Sequence, residues 1–391
     1  MSLKSKNEDN KVDIIKLVND IFYQGIKEGV SDIHIQPYKG GIIVRYRIDG
    51  ILHSVFEGDK TLNEFMLSRI KILADLETTG LPRPQEGNIK FPFENGFVDL
   101  RVSIFPTSQG ETVVVRVLES KKFFNDYKDL GFNSEQITDL EKIIKKPYGL
   151  ILVTGPNGSG KSTTLFTILN KLNVPEKSLV TLEDPVERKI ELVRQTNIDP
   201  SIGLTFAEGL RYLLRQDPDV LMVGEIRDKE TANIAVQAAV TGHLVLATIH
   251  TNNAAGAIVR LINMGIEPFL LSSALKFVSA QRLSRLNCPH CKEEYIPPKD
   301  LIEALDAPSG IKFYHSIGCD KCNGKGMKGR LGIHEVLIVT KPIQELILQR
   351  PSDDHINDLA IKEGMTSLRQ AALQNVYSGN ISIEEALRLT E

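Results

Sequence analysis

Residues 150–162 read Leu150-Ile151-Leu152-Val153-Thr154-Gly155-Pro156-Asn157-Gly158-Ser159-Gly160-Lys161-Ser162, followed at once by Thr163 and Thr164. The apolar first part reads as a buried strand, and Leu165-Phe166-Thr167-Ile168-Leu169 as the body of a helix. Between them lies a full Walker A phosphate loop. Its glycines leave backbone N–H groups free to surround phosphate oxygens. Lys161 can reach the terminal phosphates, and Ser162 can put its hydroxyl on a magnesium ion. The helix that follows aims its N-terminus at the same anion. Residues 155–163 are therefore the expected contacts of a nucleoside triphosphate.

Outward from this loop the chain is organised in several parts. At 391 residues it is too long for one ordinary domain. Ile14, Val18, Ile21, Phe22 and Ile26 form a helical stripe, and Ser31-Asp32-Ile33-His34-Ile35-Gln36 alternates as a strand. Residues 41–48 and 51–56 read as two strands joined by Asp49-Gly50, a two-residue hairpin signal. A second helix is expected over 61–76, and further strands over 88–93, 97–105 and 111–118. This is an α+β, PAS-like domain at 1–120. The more charged stretch 121–148 reads as a linker and leading helix.

From 149 to 286 short apolar runs alternate with helical stretches, which predicts a RecA-like α/β core whose parallel sheet is covered on both faces. Ligands of such sheets sit beyond the carboxyl ends of the strands, so the polar residues that end these runs are candidates. The run 220–223 ends in Gly224-Glu225, a Walker B strand in which glycine replaces the usual first acid. The run 179–182 ends in Glu183-Asp184, and 244–249 ends in His250, with His243 near its start. Hydrolysis needs a carboxylate to orient or deprotonate water and positive charge for the transition state. Glu225 and Glu183 are the candidate acids, and the residues leave open which of them is the base.

All four cysteines fall in Cys288-Pro289-His290-Cys291 and Cys319-Asp320-Lys321-Cys322. Two such pairs give four thiolates suited to tetrahedral zinc, which would hold together a module at 287–333 without doing catalysis; disulfides or free thiols are the competing reading. His290 is expected to face solvent. A helical region is expected over 334–391.

Composition is that of a globular protein, with 41% hydrophobic and 25% charged residues. The net charge of −3 lacks the electrostatic footprint of a nucleic-acid binder. No apolar run reaches the roughly 18 residues of a membrane span, and the polar N-terminus is not a secretory signal. The chain is expected to be soluble and cytoplasmic, with membrane association through partners only. Asn10-Lys11-Val12-Asp13 matches a guanine-recognition pattern but lies upstream of the loop, where it cannot follow a strand of the nucleotide sheet. ATP is the favoured nucleotide.

Taken together these stretches resemble the ATPases that power type II secretion and type IV pilus assembly. The resemblance is carried by Ser31-Asp32-Ile33-His34-Ile35-Gln36-Pro37, Arg45-Tyr46-Arg47-Ile48-Asp49-Gly50, Arg83-Pro84-Gln85-Glu86-Gly87, Asp99-Leu100-Arg101-Val102-Ser103 and the phosphate loop. It continues through residues 182–187, 215–219, 223–228 and 241–252, the cysteine module, Gly329-Arg330 and Glu363-Gly364-Met365. It implies a homohexamer with ATP between the N-terminal and RecA-like domains, peripheral at the inner face of the inner membrane. The work done would move an inner-membrane platform protein. Carried over by position, Glu183 and Asp184 belong to the family's Asp box, Glu225 is the Walker B acid, and His243 and His250 form the His box. Arg101 and Arg116 match arginines that approach the phosphates.

Many members carry an additional N-terminal domain, so the resemblance implies either a short family form or a shortened chain. The cysteines resemble the assembly and secretion branch and not the pilus-retraction branch. A nucleic-acid-translocating RecA-type ATPase, a retraction ATPase of the same superfamily and a non-hydrolysing ATP-binding module are the rival readings.

Overall fold

Period-two alternation of apolar and polar residues builds the first part of the chain, and continuous apolar runs build the second. The computed structural model describes residues 13–118, 124, 126–304 and 311–390. It divides the chain into two compact units, 1–121 and 122–391. Asn10, Lys11 and Val12, the expected boundary at residue 120, and residues 305–310 of the expected cysteine module lie outside the described residues.

The first unit contains α1 (Ile14–Lys27), β1 (Asp32–Tyr38), β2 (Gly41–Ile48), β3 (Ile51–Gly58), α2 (Lys60–Leu73), β4 (Gln85–Phe93), β5 (Gly96–Thr107) and β6 (Gly110–Leu118). Among the described residues these strands form a six-stranded sheet in the order β3-β2-β1-β6-β5-β4, each pairing antiparallel. Asp49 and Gly50 make the turn between β2 and β3 at φ 49° and 85°, the left-handed pair that suits a tight hairpin. Ile33, Ile35, Val44, Val102 and Val115 share a core with Ile21 and Phe22 of α1 and Met66 and Ile70 of α2. The Tyr46 hydroxyl donates to the Ile21 carbonyl at 2.5 Å and ties α1 to the sheet. The alternate positions make the other face polar, with Asp32, His34, Arg45, Arg47, Arg101 and Arg116.

The second unit opens with α3 (Ser134–Ile144), β7 (Gly149–Thr154), α4 (Lys161–Leu172), β8 (Leu179–Glu183), β9 (Val193–Asn197), α5 (Phe206–Leu213), β10 (Val220–Val223), α6 (Lys229–Val240), β11 (Leu244–Ile249), α7 (Ala254–Asn263) and α8 (Pro268–Ala274). It continues with β12 (Leu275–Asn287), β13 (Lys292–Tyr295), α9 (Lys299–Ala304), β14 (Phe313–Ser316), β15 (Met327–Ile338), α10 (Lys341–Ile347), α11 (Asp353–Lys362), α12 (Leu368–Tyr377) and α13 (Ile383–Thr390). The main sheet runs β15-β12-β7-β11-β10-β8-β9. Strands β7 to β12 within it pair parallel, and β15 adds an antiparallel edge. Successive residues of β7 enter different cores: Leu150 and Leu152 meet α6 and α7, and Ile151 and Val153 meet α3 and α4. Burial on both faces is why these strands read as unbroken apolar runs.

The expected helical start at residue 334 is corrected. His334 and Glu335 sit in mid-strand, and the helices begin at Lys341. Both are buried yet fully partnered polar residues, so they disguise the strand as a solvated stretch. The His334 Nε2–H donates to the Leu130 carbonyl at 2.9 Å, and its ring stacks on Phe132 at 3.8 Å between centroids. No helix among the described residues is long and apolar enough to cross a membrane.

Candidate functional site

Because β7, β10 and β11 run parallel, the segments that follow them leave the sheet at one edge. The phosphate loop begins there. Its glycines take left-handed or extended-positive φ values of 145° at Gly155, 75° at Gly158 and 91° at Gly160, which side-chain-bearing residues rarely adopt. Gly160 is also the N-cap of α4 and offers no side-chain cap. The first-turn N–H groups of α4, on Lys161, Ser162 and Thr163, are thus left for an anion. Lys161 lies back across the loop, its Nζ donating to the carbonyls of Gly155 and Pro156, both at 3.0 Å. Burial holds its pKa below the usual lysine range, with Glu225 pulling it up and Arg282 down.

Glu225 is fixed by its backbone neighbours. The Thr248 hydroxyl donates to the Gly224 carbonyl at 2.5 Å, and the Ile226 N–H donates to the Thr248 carbonyl at 2.8 Å. His250 is fixed in the same way: the Thr154 hydroxyl donates to the Ile249 carbonyl at 2.8 Å and accepts from the Thr251 N–H at 2.8 Å. The two side chains meet, with His250 Nε2 3.5 Å from a Glu225 carboxylate oxygen. Burial lowers the His250 pKa, as do Lys161 and Arg227, against the pull of Glu225. The ring is therefore neutral at pH 7, since its ordinary pKa of about 6.5 already lies below that pH.

Arg227 forms an ion pair with Glu225 and lies 3.8 Å from Asp184. Reading the sequence did not single it out, although it stands two residues after Glu225. Arg282 was missed as well. It follows Gln281 in β12, donates to the Asn252 carbonyl at 3.0 Å, and contributes to the field on Lys161. No signal in the sequence around residue 282 marks it, because β12 is brought beside β7 only by the sheet.

The other expected residues are distributed unevenly. Glu183 ends β8 as a buried carboxylate that accepts from the Thr181 hydroxyl at 2.6 Å and the Gln195 amide at 2.9 Å. Burial raises its pKa and these two bonds partly offset the rise. Its bonds run toward β8 and β9, not to the Lys161–Glu225–His250 group. Pro156 and Asn157 form the exposed tip of the loop, and Ser159 is buried beneath it.

His243 is not at this edge. Its carbonyl accepts from the Gly149 N–H, at the opposite end of β7 and β11, and its Nδ1 lies 3.2 Å from the Ala238 carbonyl. The six residues of β11 separate it from His250 by roughly 20 Å. Within one chain His243 thus lies at the far end of the sheet from the phosphate loop. Arg101 and Arg116 are register partners on β5 and β6 of the first unit. Arg101 pairs with Glu86 at 2.7 Å and Arg116 with Asp32 at 3.0 Å.

The cysteines gather at the end of β12 and before β15. The Sγ atoms of Cys288 and Cys319 are 3.9 Å apart, those of Cys291 and Cys322 3.8 Å, and those of Cys319 and Cys322 3.8 Å. All four lie within 4.8 Å of one another. A regular tetrahedron with metal–sulfur bonds of about 2.3 Å has edges of about 3.8 Å, so the four sulfurs fit a zinc-sized ion. Burial tends to raise the Cys322 thiol, but N–H donors of Cys319 and Gly326, together with the Cys319 and Cys291 thiols, more than offset it and bring it to about 6. Burial and its thiol neighbours push Cys291 up to about 12. His290 is exposed.

Residues 7–388 match the family model described as type II/IV secretion system protein. Over 380 residues the chain is 46% identical to the type II secretion system ATPase E of Vibrio cholerae, covering 97% of this chain and 75% of that one. It is 43% identical over 380 residues to the type IV pilus assembly ATPase PilB of Myxococcus xanthus, covering 96% and 67% of the two chains. Among solved structures, the pilus retraction motor PilT with bound ADP aligns over 97% of both chains with a TM-score of 0.63 and 25% identity.

Proposed function

The chain belongs to the type II/IV secretion system protein family, and on that premise we propose that it is a motor ATPase that drives pilin or pseudopilin assembly. The observation that carries the catalytic reading is the meeting of Lys161, Glu225 and His250 beside a helix N-terminus that has no side-chain cap. Lys161 and the first-turn N–H groups of α4 bind the phosphates of ATP, and Ser162 would supply a magnesium ligand. Magnesium there would neutralise charge on the β- and γ-phosphates.

Glu225 orients water and takes its proton as the water oxygen bonds to the γ-phosphorus and the bond to the ADP oxygen breaks. The ion pair with Arg227 has to loosen for this, because a carboxylate held by a guanidinium is a weaker base. Neutral His250 can then accept or donate one hydrogen bond at the γ-phosphate. Glu183 has an assisting part through β8. Arg101 and Arg116 would add positive charge at the transition state, and the assembly is a homohexamer.

The partner is an inner-membrane platform protein, which places the motor at the inner face of that membrane. Assembly is favoured over retraction because the secretion and assembly relatives are 46% and 43% identical, against 25% for the retraction motor. Four thiolates at tetrahedral spacing favour zinc as the ion of the cysteine module.

Glu225→Gln tests the catalytic reading. It should retain ATP binding and slow steady-state phosphate release about 10²-fold or more. Undiminished release would remove Glu225 from the mechanism. A chain that binds ATP without any turnover in the native form would favour the non-hydrolysing reading.

A further inference from the structure

Gln281 stands in β12, the strand beside β7, and is 1% exposed. Its side-chain amide reaches the phosphate loop twice. Nε2–H donates to the Ser159 carbonyl at 2.6 Å, and Oε1 accepts from the Thr164 hydroxyl at 2.9 Å. Its backbone carbonyl closes on the start of the loop, where a Cβ on Gly155 would lie only 2.4 Å from it. The strand register sets Ala280 opposite Thr154, the last residue of β7, which brings Gln281 level with the loop. One residue therefore meets the loop at its first glycine, at its inner turn and in the first turn of α4. The glycines that let the loop surround phosphate give it little stiffness of its own.

We propose that Gln281 is a positioning residue for nucleotide binding, a tie from the neighbouring strand that holds the phosphate loop in its anion-receiving shape. The proposal rests on the reading of residues 155–162 as an ATP site. The task requires an amide, because Ser159 presents an acceptor and Thr164 a donor. A carboxylate of the same size has two acceptors and faces the Ser159 carbonyl with repulsion. A methionine fills the space and makes neither bond.

The test is ATP affinity measured calorimetrically on the full chain and on its Q281M and Q281E variants at pH 6 and pH 8, with thermal unfolding followed in parallel. Comparison with the native chain at each pH removes the titration of ATP itself. Q281M should bind about tenfold more weakly at both pH values, the effect of losing two buried hydrogen bonds. Q281E should be at least as weak at pH 8 and recover most of the loss at pH 6. Burial raises a carboxyl above its ordinary pKa of about 4.3, and once protonated it again offers one donor and one acceptor.

Absence of ATP binding in the native chain would overturn the nucleotide reading itself. Native binding together with native affinity in Q281M would overturn the role of Gln281, even if Q281M unfolds at a lower temperature. An equal deficit of Q281E at both pH values would overturn it too. Should Q281E fail to fold, Q281M decides.

Discussion

Gly224 shows how a single residue can be both visible and misleading in a sequence. It occupies the place of the usual first Walker B acid, and the sequence records the substitution without giving its cause. The structure supplies one: a Cβ there would lie 3.1 Å from the Leu182 carbonyl and 3.4 Å from the Glu183 Cα, as β10 leans on β8. Gly224→Asp, which restores the ordinary motif on paper, should therefore lower stability by about 1–3 kcal/mol through overpacking. A thermal unfolding midpoint equal to that of the native chain would show that the contact has room to spare. Glu225 and His250 were legible because they end apolar runs, and strand ends of a parallel sheet converge. Arg227 was not, since its meaning lies in the two carboxylates it faces. His243 and His250 were legible as the two flanks of one apolar run, and the structure makes that run a full strand, β11, that holds them apart.

Among the elements, β12 joins several distant parts of the second unit. Along it stand Gln281 at the phosphate loop and Arg285 at α13, and just past its end comes Cys288 of the four-cysteine cluster. Arg285 and Arg388 hold the fully buried Glu385 side chain through five hydrogen bonds of 2.6–3.0 Å. Burial raises the Glu385 carboxyl, but the two arginines more than offset this and leave it below the usual range. Its contribution to stability is therefore present at neutral pH and is lost as acid titrates it. Glu385→Ala should destabilise the chain by about 2–4 kcal/mol in urea unfolding, somewhat below the full value for breaking a buried pair because both arginines retain contact with water. A loss under about 0.5 kcal/mol, the range of an ordinary surface substitution, would mean that α13 is held by its apolar face alone. Elements such as β7, β10 and β11 were readable as apolar runs. In β15 the buried His334, pushed down to about 4 by desolvation, and the buried Glu335 defeat that reading. Glu335 accepts from the N–H groups of Ala254 and Leu368 at 2.8 and 3.1 Å, so its partners come from distant turns of the chain.

For the whole molecule the cysteine module is not a detachable bead. Phe313 and Ile333 beside it share one core with Ala372, Val376, Ile383 and Leu389 of α12 and α13. Purified chain should carry close to one zinc per copy by elemental analysis. Stripping it with a strong chelator under reducing conditions should lower the unfolding midpoint by several degrees, because the four thiols lose the ion that offsets their crowding. A metal-free chain of undiminished stability would sink the zinc assignment. By itself, the sequence determined what local chemistry can specify: a phosphate loop between strand and helix, a parallel sheet from its apolar runs, and two cysteine pairs at metal spacing. Only the tertiary structure decided which distant residues serve that loop. Gln281 and Arg282 come to it from a strand more than a hundred residues further on, and His243 is carried away from it by the length of β11. Strand order and direction in a sheet are fixed by packing among remote segments, and no local pattern of residues records them.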